Sequence, residues 1–300
     1  MAPGPTPHTV RVPEPALDRL AALVRDGAVL ALTGAGMSTD SGIPDYRGRD
    51  GVRRVMPMQY AEFVGSSGAR QRYWARSFVG WQRFSQARPN PGHRALARLQ
   101  HVGLVTGVVT QNVDGLHQAA GSTDVVDLHG SLAAVVCLNC RDRTERTAMQ
   151  VRMEALNPGF HAEVAGVAAD GSRVSSQIRP DGDVVLDDAA VARFRLPVCR
   201  RCGADTLKPD VVFFGQSVPP ERIERSMAML EGSRALLVLG SSLAVMSGYR
   251  FVRHASARGI PVAILTRGAT RGDAQATVRL DAALTPTLES LVAVAGSPAA

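Results

Sequence analysis

The four cysteines of the chain form two closely spaced pairs. Two residues separate Cys137 from Cys140, and two separate Cys199 from Cys202, so no cysteine is left over. Two such pairs are typical of a tetrahedral zinc site with four thiolate ligands, and a redox-active pair is the alternative. The stretch between the pairs, 141–198, is longer than in a simple zinc ribbon. The sequence therefore predicts a small zinc module that carries a long insertion.

A second candidate site follows the apolar run 28–32. The run leads into Gly34-Ala35-Gly36, and two glycines after a strand allow a tight turn and a close approach of the backbone to a pyrophosphate. Thr39 stands where the third glycine of a full GxGxxG pattern would be. Nucleotide binding and an ordinary strand-to-helix turn both remain open from these residues alone.

Polar residues also follow three other apolar runs. Gln111, Asn112 and Asp114 come after the run 104–110, His129 follows 125–128, and a Gly-Ser-Ser segment, 240–242, ends the run 235–240. The carboxyl ends of parallel strands meet at one edge of a sheet, where ligands bind. A histidine there can hold and release a proton near neutral pH, since its ordinary pKa is about 6.5. A capping turn, a packed histidine and a plain turn are the alternatives.

The element pattern predicts an α/β fold. Short apolar runs, which read as buried parallel strands, alternate with helical stretches. The predicted strands are 28–32, 104–110, 125–128, 210–214, 235–240 and 261–265, and the predicted helices are 14–25, 70–84, 92–100, 219–231 and 247–258. Two stretches, 45–91 and 133–207, interrupt this alternation and are interpreted as insertions that form a second, smaller domain. Within the predicted strand 210–214 we expect Val212 to face the core.

Composition restricts the class of protein. The chain has 300 residues, 45% of them hydrophobic, and a net charge of +7, which excludes a wholly disordered chain, a collagen and a coiled coil. Lys208 is the single lysine, and the arginines are spread without a long basic block, so an arginine-biased surface is favoured over nucleic-acid binding. No apolar run approaches the ~20 residues that span a bilayer. We predict a cytoplasmic protein with no membrane partner and no specific nucleic acid.

Taken together, the motifs resemble one family. In order they are GAGMSTDSGIPDYRG (34–48), TQNVDGLH (110–117), LHG (128–130), the two cysteine pairs, KPDVVFFG (208–215) and GSSL (240–243). This order resembles the sirtuin family of NAD-dependent protein deacylases, over roughly residues 14–290. The segment 70–84 and the insert between the cysteine pairs are similar to the class II branch, which includes a mitochondrial member in animals.

The resemblance implies a Rossmann-like parallel-sheet domain with a smaller inserted domain, made of a helical module and a four-cysteine zinc module. The Rossmann-like domain would comprise 10–44, 92–132 and 208–290, the helical module 45–91 and the zinc module 133–207, with tails at 1–9 and 291–300. NAD would lie in the cleft between the domains, and one structural zinc would be bound by Cys137, Cys140, Cys199 and Cys202. The implied NAD-binding residues are Gly34, Ala35, Gly36, Ser38, Ile43, Asp45, Arg47, Gln111, Asn112, Asp114, Gly240, Ser241, Ser242, Thr266, Gly268 and Leu284. Thr266 stands where many relatives have Asn, so the side chain offered to the adenosine ribose differs.

The resemblance also implies a reaction. His129 would be the general base and Asn112 a second catalytic residue at the ribose hydroxyls, and the products would be free lysine, nicotinamide and O-acyl-ADP-ribose. The acyl-lysine peptide would pair with a loop that contains Val211, Phe213, Phe214 and Gly215. Transfer of ADP-ribose to protein in the same cleft is the alternative activity, and a non-enzymatic zinc module that binds nucleic acid is the alternative from another class.

Two further residues bear on which acyl group the protein removes. Tyr73 and Arg76 lie three apart in a predicted helix, so they share one face. Their spacing resembles a pair that another sirtuin branch uses to hold dicarboxylic acyl chains. We therefore expect acidic acyl groups, such as branched glutaryl-like chains, to be removed faster than acetyl. Packing of this helix within the small domain is the alternative role.

Overall fold

The computed structural model describes residues 14–47, 56–164 and 182–295. Its helices are α1 (Glu14–Arg25), α2 (Tyr60–Gly65), α3 (Ser67–Phe84), α4 (Pro91–His101), α5 (Leu116–Ala119), α6 (Arg146–Leu156), α7 (Phe160–Val164), α8 (Asp188–Arg193), α9 (Pro220–Glu231), α10 (Met246–Ala257) and α11 (Leu284–Ala295). Its strands are β1 (Val29–Thr33), β2 (Val105–Thr110), β3 (Val125–Asp127), β4 (Gly130–Cys137), β5 (Arg143–Glu145), β6 (Leu207–Val211), β7 (Ala235–Leu239), β8 (Val262–Leu265) and β9 (Val278–Leu280).

Six of these strands form one parallel sheet in the order β3-β2-β1-β7-β8-β9. All five residues of β1 are buried, as expected for a central strand covered on both faces. From β1 the chain runs outward through β2 and β3, and it then returns to β7 on the other side of β1. The strand order therefore reverses between β1 and β7, and a crevice opens at the carboxyl ends of these two strands.

Helices cover both faces of the sheet. The core on one face includes Leu20 of α1, Leu96 of α4 and Leu288 of α11, all fully buried. The core on the other face includes Leu230 of α9 and Phe251 of α10. Both cores use one side of an amphipathic helix against branched strand residues, which is the arrangement that the alternating pattern predicts.

The remaining strands form a second, antiparallel sheet in the order β5-β4-β6. It shares a separate core with α3, α6 and α8, in which Trp74 and Phe78 are fully buried. Arg70 of α3 makes an ion pair with Asp205 beside the second cysteine pair, in which its Nη2 lies 3.0 and 2.9 Å from the two carboxylate oxygens. A charge-assisted pair of this kind ties the helical segment to the cysteine-containing segment.

The structure differs from the sequence predictions at β6, β9 and the end of α11, among other elements. The predicted strand 210–214 is wrong as a member of the parallel sheet, because β6 begins at Leu207 and pairs antiparallel with β4. A local apolar run identifies a buried strand but does not specify its partner. The edge strand β9 is not predicted, since three residues with an arginine at the centre give little periodic signal. The predicted tail at 291–300 is wrong up to Ala295, because α11 continues to that residue and Leu291 is fully buried.

The predicted tail 1–9 and the first residues of the predicted Rossmann-like domain, 10–13, lie outside the described residues, as do parts of both insertions.

Candidate active site and metal centre

In the crevice between β1 and β7, the glycine turns that follow these two strands contact each other directly. The amide of Gly36 donates to the carbonyl of Gly240 at 2.9 Å, and the amide of Gly34 donates to that of Leu239 at 3.0 Å. A Cβ on Gly36 would lie 2.9 Å from the Cα of Gly240, and Gly240 itself has a φ of +62°. Side chains would separate the two turns, so glycine is needed for the backbone to line the crevice.

The end of β2 contributes a polar cluster to the same crevice. The side-chain amide of Asn112 donates to the carbonyl of Gly34 and to the Oγ of Ser38, both at 3.0 Å. The hydroxyl of Ser38 in turn donates to a carboxylate oxygen of Asp114 at 2.6 Å. Burial raises the pKa of Asp114, although the bonds from Ser38 and from the amide of Leu116 oppose this effect. The cluster holds donors and acceptors at fixed positions beside the glycine turns.

His129 lies two residues beyond β3 and faces the same crevice. Its Nδ1 is 2.9 Å from the carbonyl oxygen of Gln111, and its Nε2 is 2.8 Å from the Oγ of Ser247. A carbonyl can only accept, so Nδ1 carries the proton and Nε2 offers a lone pair. Burial lowers the pKa of His129 to about 4, and the charge of Arg222 lowers it further, while the Gln111 carbonyl opposes the shift. The imidazole is therefore neutral at pH 7 and can accept a proton at Nε2.

His117 packs inside the molecule. It is 1% exposed, its Nε2 lies 2.9 Å from the Oγ1 of Thr33, and its ring lies 4.8 Å from that of His93, centroid to centroid. Burial lowers the pKa of His117 to about 3. Of these two histidines near the end of β2, neither reaches the cleft wall, so neither competes with His129 for the role of base.

The crevice opens into a cleft of about 1100 Å³. Most of the predicted site residues line it, from both walls. They are Gly34, Ala35, Gly36, Ser38, Ile43, Asp45, Arg47, Tyr73, Gln111, Asn112, Asp114, His129, Val211, Phe213, Phe214, Gly215, Gly240, Ser241, Ser242, Thr266 and Leu284. Within the described cleft wall, neither Arg76 nor Gly268 is present, although Arg267 and Ala269 on either side of Gly268 are.

The segment after β6 forms the far wall. Phe213 contacts the rings of Phe63 and Tyr73 at centroid distances of 5.1 and 5.2 Å, while Phe214 contacts the ring of Tyr46 at 5.7 Å. Val212 also lines the cleft, so the prediction that it faces the core is wrong. The strand ends at Val211, and the alternation of faces that a regular strand would impose therefore does not extend to Val212.

Lys208, the single lysine, is buried beneath this wall. Its ammonium donates to the carbonyls of Pro209 and Val211 and lies 4.4 Å from the centroid of the Phe213 ring. Burial lowers its pKa to about 8, although the charge of Asp210 opposes the shift. These contacts of the lysine stabilise the segment that carries Phe213.

The four cysteines come together at the end of the small domain. Their sulfurs all lie within 4.8 Å of one another, and two of the separations, Cys137–Cys202 and Cys140–Cys199, are 3.6 Å. Four sulfurs about 2.3 Å from a tetrahedral zinc are separated by about 3.8 Å, so the geometry fits this ion. In each pair, the amide four residues after the first cysteine donates to its carbonyl at 2.9 Å. These tight turns orient both sulfurs of a pair toward the same point.

Sequence reasoning missed Ser247, which touches His129 from the first turn of α10. It also missed Met58 and Leu132, which line the cleft. Ser247 lies 118 residues from His129, and no local pattern marks a serine at the start of a helix as the partner of a distant histidine.

The fold and the cleft define a dinucleotide-binding α/β protein with a four-thiolate metal module. The Sir2 family model matches residues 34–247, and the chain belongs to this family. The chain is 52% identical over 269 residues to "NAD-dependent protein deacetylase 1" of Streptomyces coelicolor, an alignment that covers 89% of this chain and 86% of the relative. It is 49% identical over 258 residues to "NAD-dependent protein deacetylase" of Xanthomonas axonopodis pv. citri, covering 86% and 84%.

Solved structures agree with this assignment. One, described as "Structural Basis for the Mechanism and Regulation of Sir2 Enzymes", superposes with a TM-score of 0.73 at 26% identity and covers 95% of this chain and 99% of that one. Another, "Sir2-p53 peptide-NAD+", gives a TM-score of 0.70 at 26% identity and covers 93% and 98%.

Among the described helices, none has the length and apolar character needed to cross a membrane.

Proposed function

We propose that this protein removes acyl groups from lysine side chains of proteins in an NAD-dependent reaction, and that the acyl group is transferred to ADP-ribose. The observation that carries the proposal is the neutral imidazole of His129, whose Nε2 faces a cleft at the switch point of a parallel sheet. The printed activity of relatives near 50% identity supports it.

The crevice offers a place for NAD. The amide of Ala35 in the Gly34–Gly36 turn and the hydroxyls of Ser241 and Ser242 would hold the phosphates and a ribose. Asn112 and Gln111 would meet the ribose next to nicotinamide, and Asp114 the carboxamide. When bound, NAD supplies the ADP-ribose that accepts the acyl group and the nicotinamide that leaves.

His129 would move the proton. Its Nε2 accepts a proton from a ribose hydroxyl, and the bond from Nδ1 to the Gln111 carbonyl holds the ring in the required tautomer. Asn112 would keep that hydroxyl in position. Because the pKa of His129 is lowered to about 4, the base is available throughout the neutral range.

The far wall would hold the substrate. An extended peptide can pair with the backbone of Val211–Gly215, since main-chain hydrogen bonds give affinity that tolerates many sequences. Zinc at the four cysteines would be structural, because four thiolates leave no open coordination position for a reactant.

The test uses acyl-lysine peptides with NAD and mass spectrometry of the products. We expect O-acyl-ADP-ribose, nicotinamide and unmodified lysine from the parent protein. His129→Ala should fold and bind NAD but lose about 10²- to 10⁴-fold in turnover. His101→Ala changes an exposed histidine of α4 outside the cleft and should match the parent. ADP-ribosylated protein without O-acyl-ADP-ribose would instead establish the transferase alternative.

We also propose a preference for acyl groups that end in a carboxylate. Tyr73 lines the cleft wall, whereas Arg76, three residues later on α3, does not line it and would have to reach the acyl chain from outside that wall. A guanidinium can form two parallel bonds to a carboxylate. The measurement is kcat/KM on matched acetyl, long-chain and glutaryl-type peptides for the parent and for Arg76→Leu, with a roughly tenfold to hundredfold preference for the acidic chain in the parent. If Arg76→Leu leaves the ranking of acyl groups unchanged, Arg76 is structural. The cytoplasmic location and the domain bounds other than that of the C-terminal tail stay predictions.

A further inference from the structure

The hydroxyl of Ser247 lies 2.8 Å from the only lone pair that His129 presents to the cleft. Nδ1 of His129 already donates to the carbonyl of Gln111, so Nε2 can only accept. It follows that the hydroxyl of Ser247 donates and Nε2 accepts. The atom that has to take a proton from the substrate therefore has an intramolecular donor in this structure.

We propose that Ser247 is a positioning residue for His129. The hydroxyl of Ser247 donates to Nε2, keeps the imidazole in its orientation in the tautomer that Gln111 sets, and gives up this place to the incoming ribose hydroxyl. The inference rests on the function proposed above for His129. The two hydroxyls are chemically alike, so the serine keeps the ring in the orientation that the substrate later requires. No new charge or bond is needed, because one O–H···N hydrogen bond replaces another.

The position of Ser247 in the fold makes it a fixed donor. It is the second residue of α10, a helix of 12 residues that packs closely on Gln111: a Cβ added to the next residue, Gly248, would lie 2.4 Å from the side-chain nitrogen of Gln111. The hydroxyl of Ser241 donates to the Oε1 of Gln111 at 2.6 Å. Ser247 and Gln111 therefore hold the two nitrogens of the His129 ring from opposite sides.

A donor to Nε2 stabilises the neutral imidazole and so lowers its pKa. Among the other charged groups, Arg222 of α9, with its ion-pair partner Asp210, acts on the ring, and Asp114 beyond β2 and Arg250 of α10 line the same cleft. All of these stay in place when the hydroxyl alone is removed. Any change in the titration of His129 in Ser247→Ala therefore reports the hydroxyl.

The first experiment observes the imidazole directly. In ¹⁵N spectra of the parent protein at pH 7, with His129 assigned from the signal missing in His129→Gln, the proton should lie on Nδ1. In Ser247→Ala the pKa of His129 should rise by about half a unit to one unit, the equivalent of one lost hydrogen bond. A His129 of the parent that carries its proton on Nε2, or an unchanged titration in Ser247→Ala, would overturn the proposal.

The second experiment measures initial rates after transfer from pH 7. The acid limb of the pH profile of kcat/KM reports the pKa of the free enzyme. In Ser247→Ala this limb should move to higher pH by the same amount as the NMR titration. Ser247→Thr keeps a hydroxyl and should keep the acid limb of the parent. Ser256→Ala, an exposed serine in the last turn of the same helix, should leave both rate and limb unchanged. A parallel shift in Ser256→Ala, or a shifted limb in Ser247→Thr, would contradict a specific role of this hydroxyl.

The two experiments separate the inference from the proposed function. If the parent shows no deacylation, the function fails, and the NMR titration still decides the role of Ser247. If Ser247→Ala does not fold, the tautomer in the parent and the acid limb of Ser247→Thr decide it.

Discussion

Two buried histidines should make the folding of this protein sensitive to mild acid. His93 and His117 are 0% and 1% exposed, and their rings are in edge contact. Burial lowers the pKa of His93 to about 4, with a further contribution from Arg94, and it lowers that of His117 to about 3, with a further contribution from His93. Both histidines are thus held neutral in the folded chain.

The direction of the pH effect follows from these shifts. In the unfolded chain both histidines bind a proton near pH 6.5, whereas in the folded chain they do so only near pH 4 and 3. The stability contributed by the neutral rings is fully present above pH 6.5 and is lost as the pH falls from 6.5 toward the folded pKa. At pH 5, which is about 1.5 units below the pKa of the unfolded chain, protonation of the unfolded chain lowers the free energy of unfolding by about 2 kcal/mol for each histidine.

The assay is urea unfolding at pH 7 and at pH 5. His117→Gln keeps a polar group that can reach the hydroxyl of Thr33 but removes the titrating ring, so its loss of stability between the two pH values should be smaller than that of the parent by about 2 kcal/mol. His101→Gln changes an exposed histidine at the end of α4 and should retain the full loss.

Comparing differences between pH values removes the effects that the proteins share, including protonation of the cysteines. A loss of stability that the substitution causes equally at both pH values does not affect this comparison. An equal loss of stability in the parent and in His117→Gln would refute the argument, because the buried ring would then not be the group that titrates.

The other predictions concern the metal centre and one glycine. Purified protein should contain about one zinc per chain by metal analysis, and Cys199→Ser should unfold or aggregate in circular dichroism and sedimentation rather than fold with a purely catalytic defect; a stable, active, metal-free variant would contradict a structural zinc. Gly130→Ala should lower the free energy of unfolding by roughly 1–3 kcal/mol or more, because Gly130 has a φ of +80° and the added Cβ would lie 1.9 Å from the carbonyl oxygen of Asp210. Gly121→Ala, with a φ of +91° and no atom within 4 Å of the added Cβ, measures the backbone cost alone, and an equal loss in the two variants would show that the contact with Asp210 is unimportant.

The sequence predicted well the features that depend on neighbouring residues. The bounds of α1 agree with the prediction, as do those of β2 to within one residue, because helical periodicity and a short apolar run are local signals. The convergence of the polar residues that follow β1, β2 and β7 was also predictable. Parallel strands bring their carboxyl ends to one edge, so sequence position relative to a strand determines position in space.

Contacts between distant segments were not predictable in the same way. The apolar run after Lys208 joins the sheet of β4 rather than the parallel sheet, and its phenylalanines leave the strand to line the cleft. Arg70 pairs with Asp205 across 135 residues. Each of these depends on how whole elements pack, which is decided by the shape of both partners and not by the pattern within either one.

By itself, the sequence determined the four thiolate ligands, the glycine turns at the nucleotide crevice and the place of His129 at a strand end, because each is a matter of residue type and local backbone conformation. Only the tertiary structure decided which residues face His129. The carbonyl of Gln111 fixes its proton on Nδ1, the first turn of α10 brings Ser247 to Nε2, and burial lowers its pKa to about 4. A histidine acquires its tautomer and its basicity from neighbours in space, and these neighbours are set by the packing of α10 against the ends of β2 and β3.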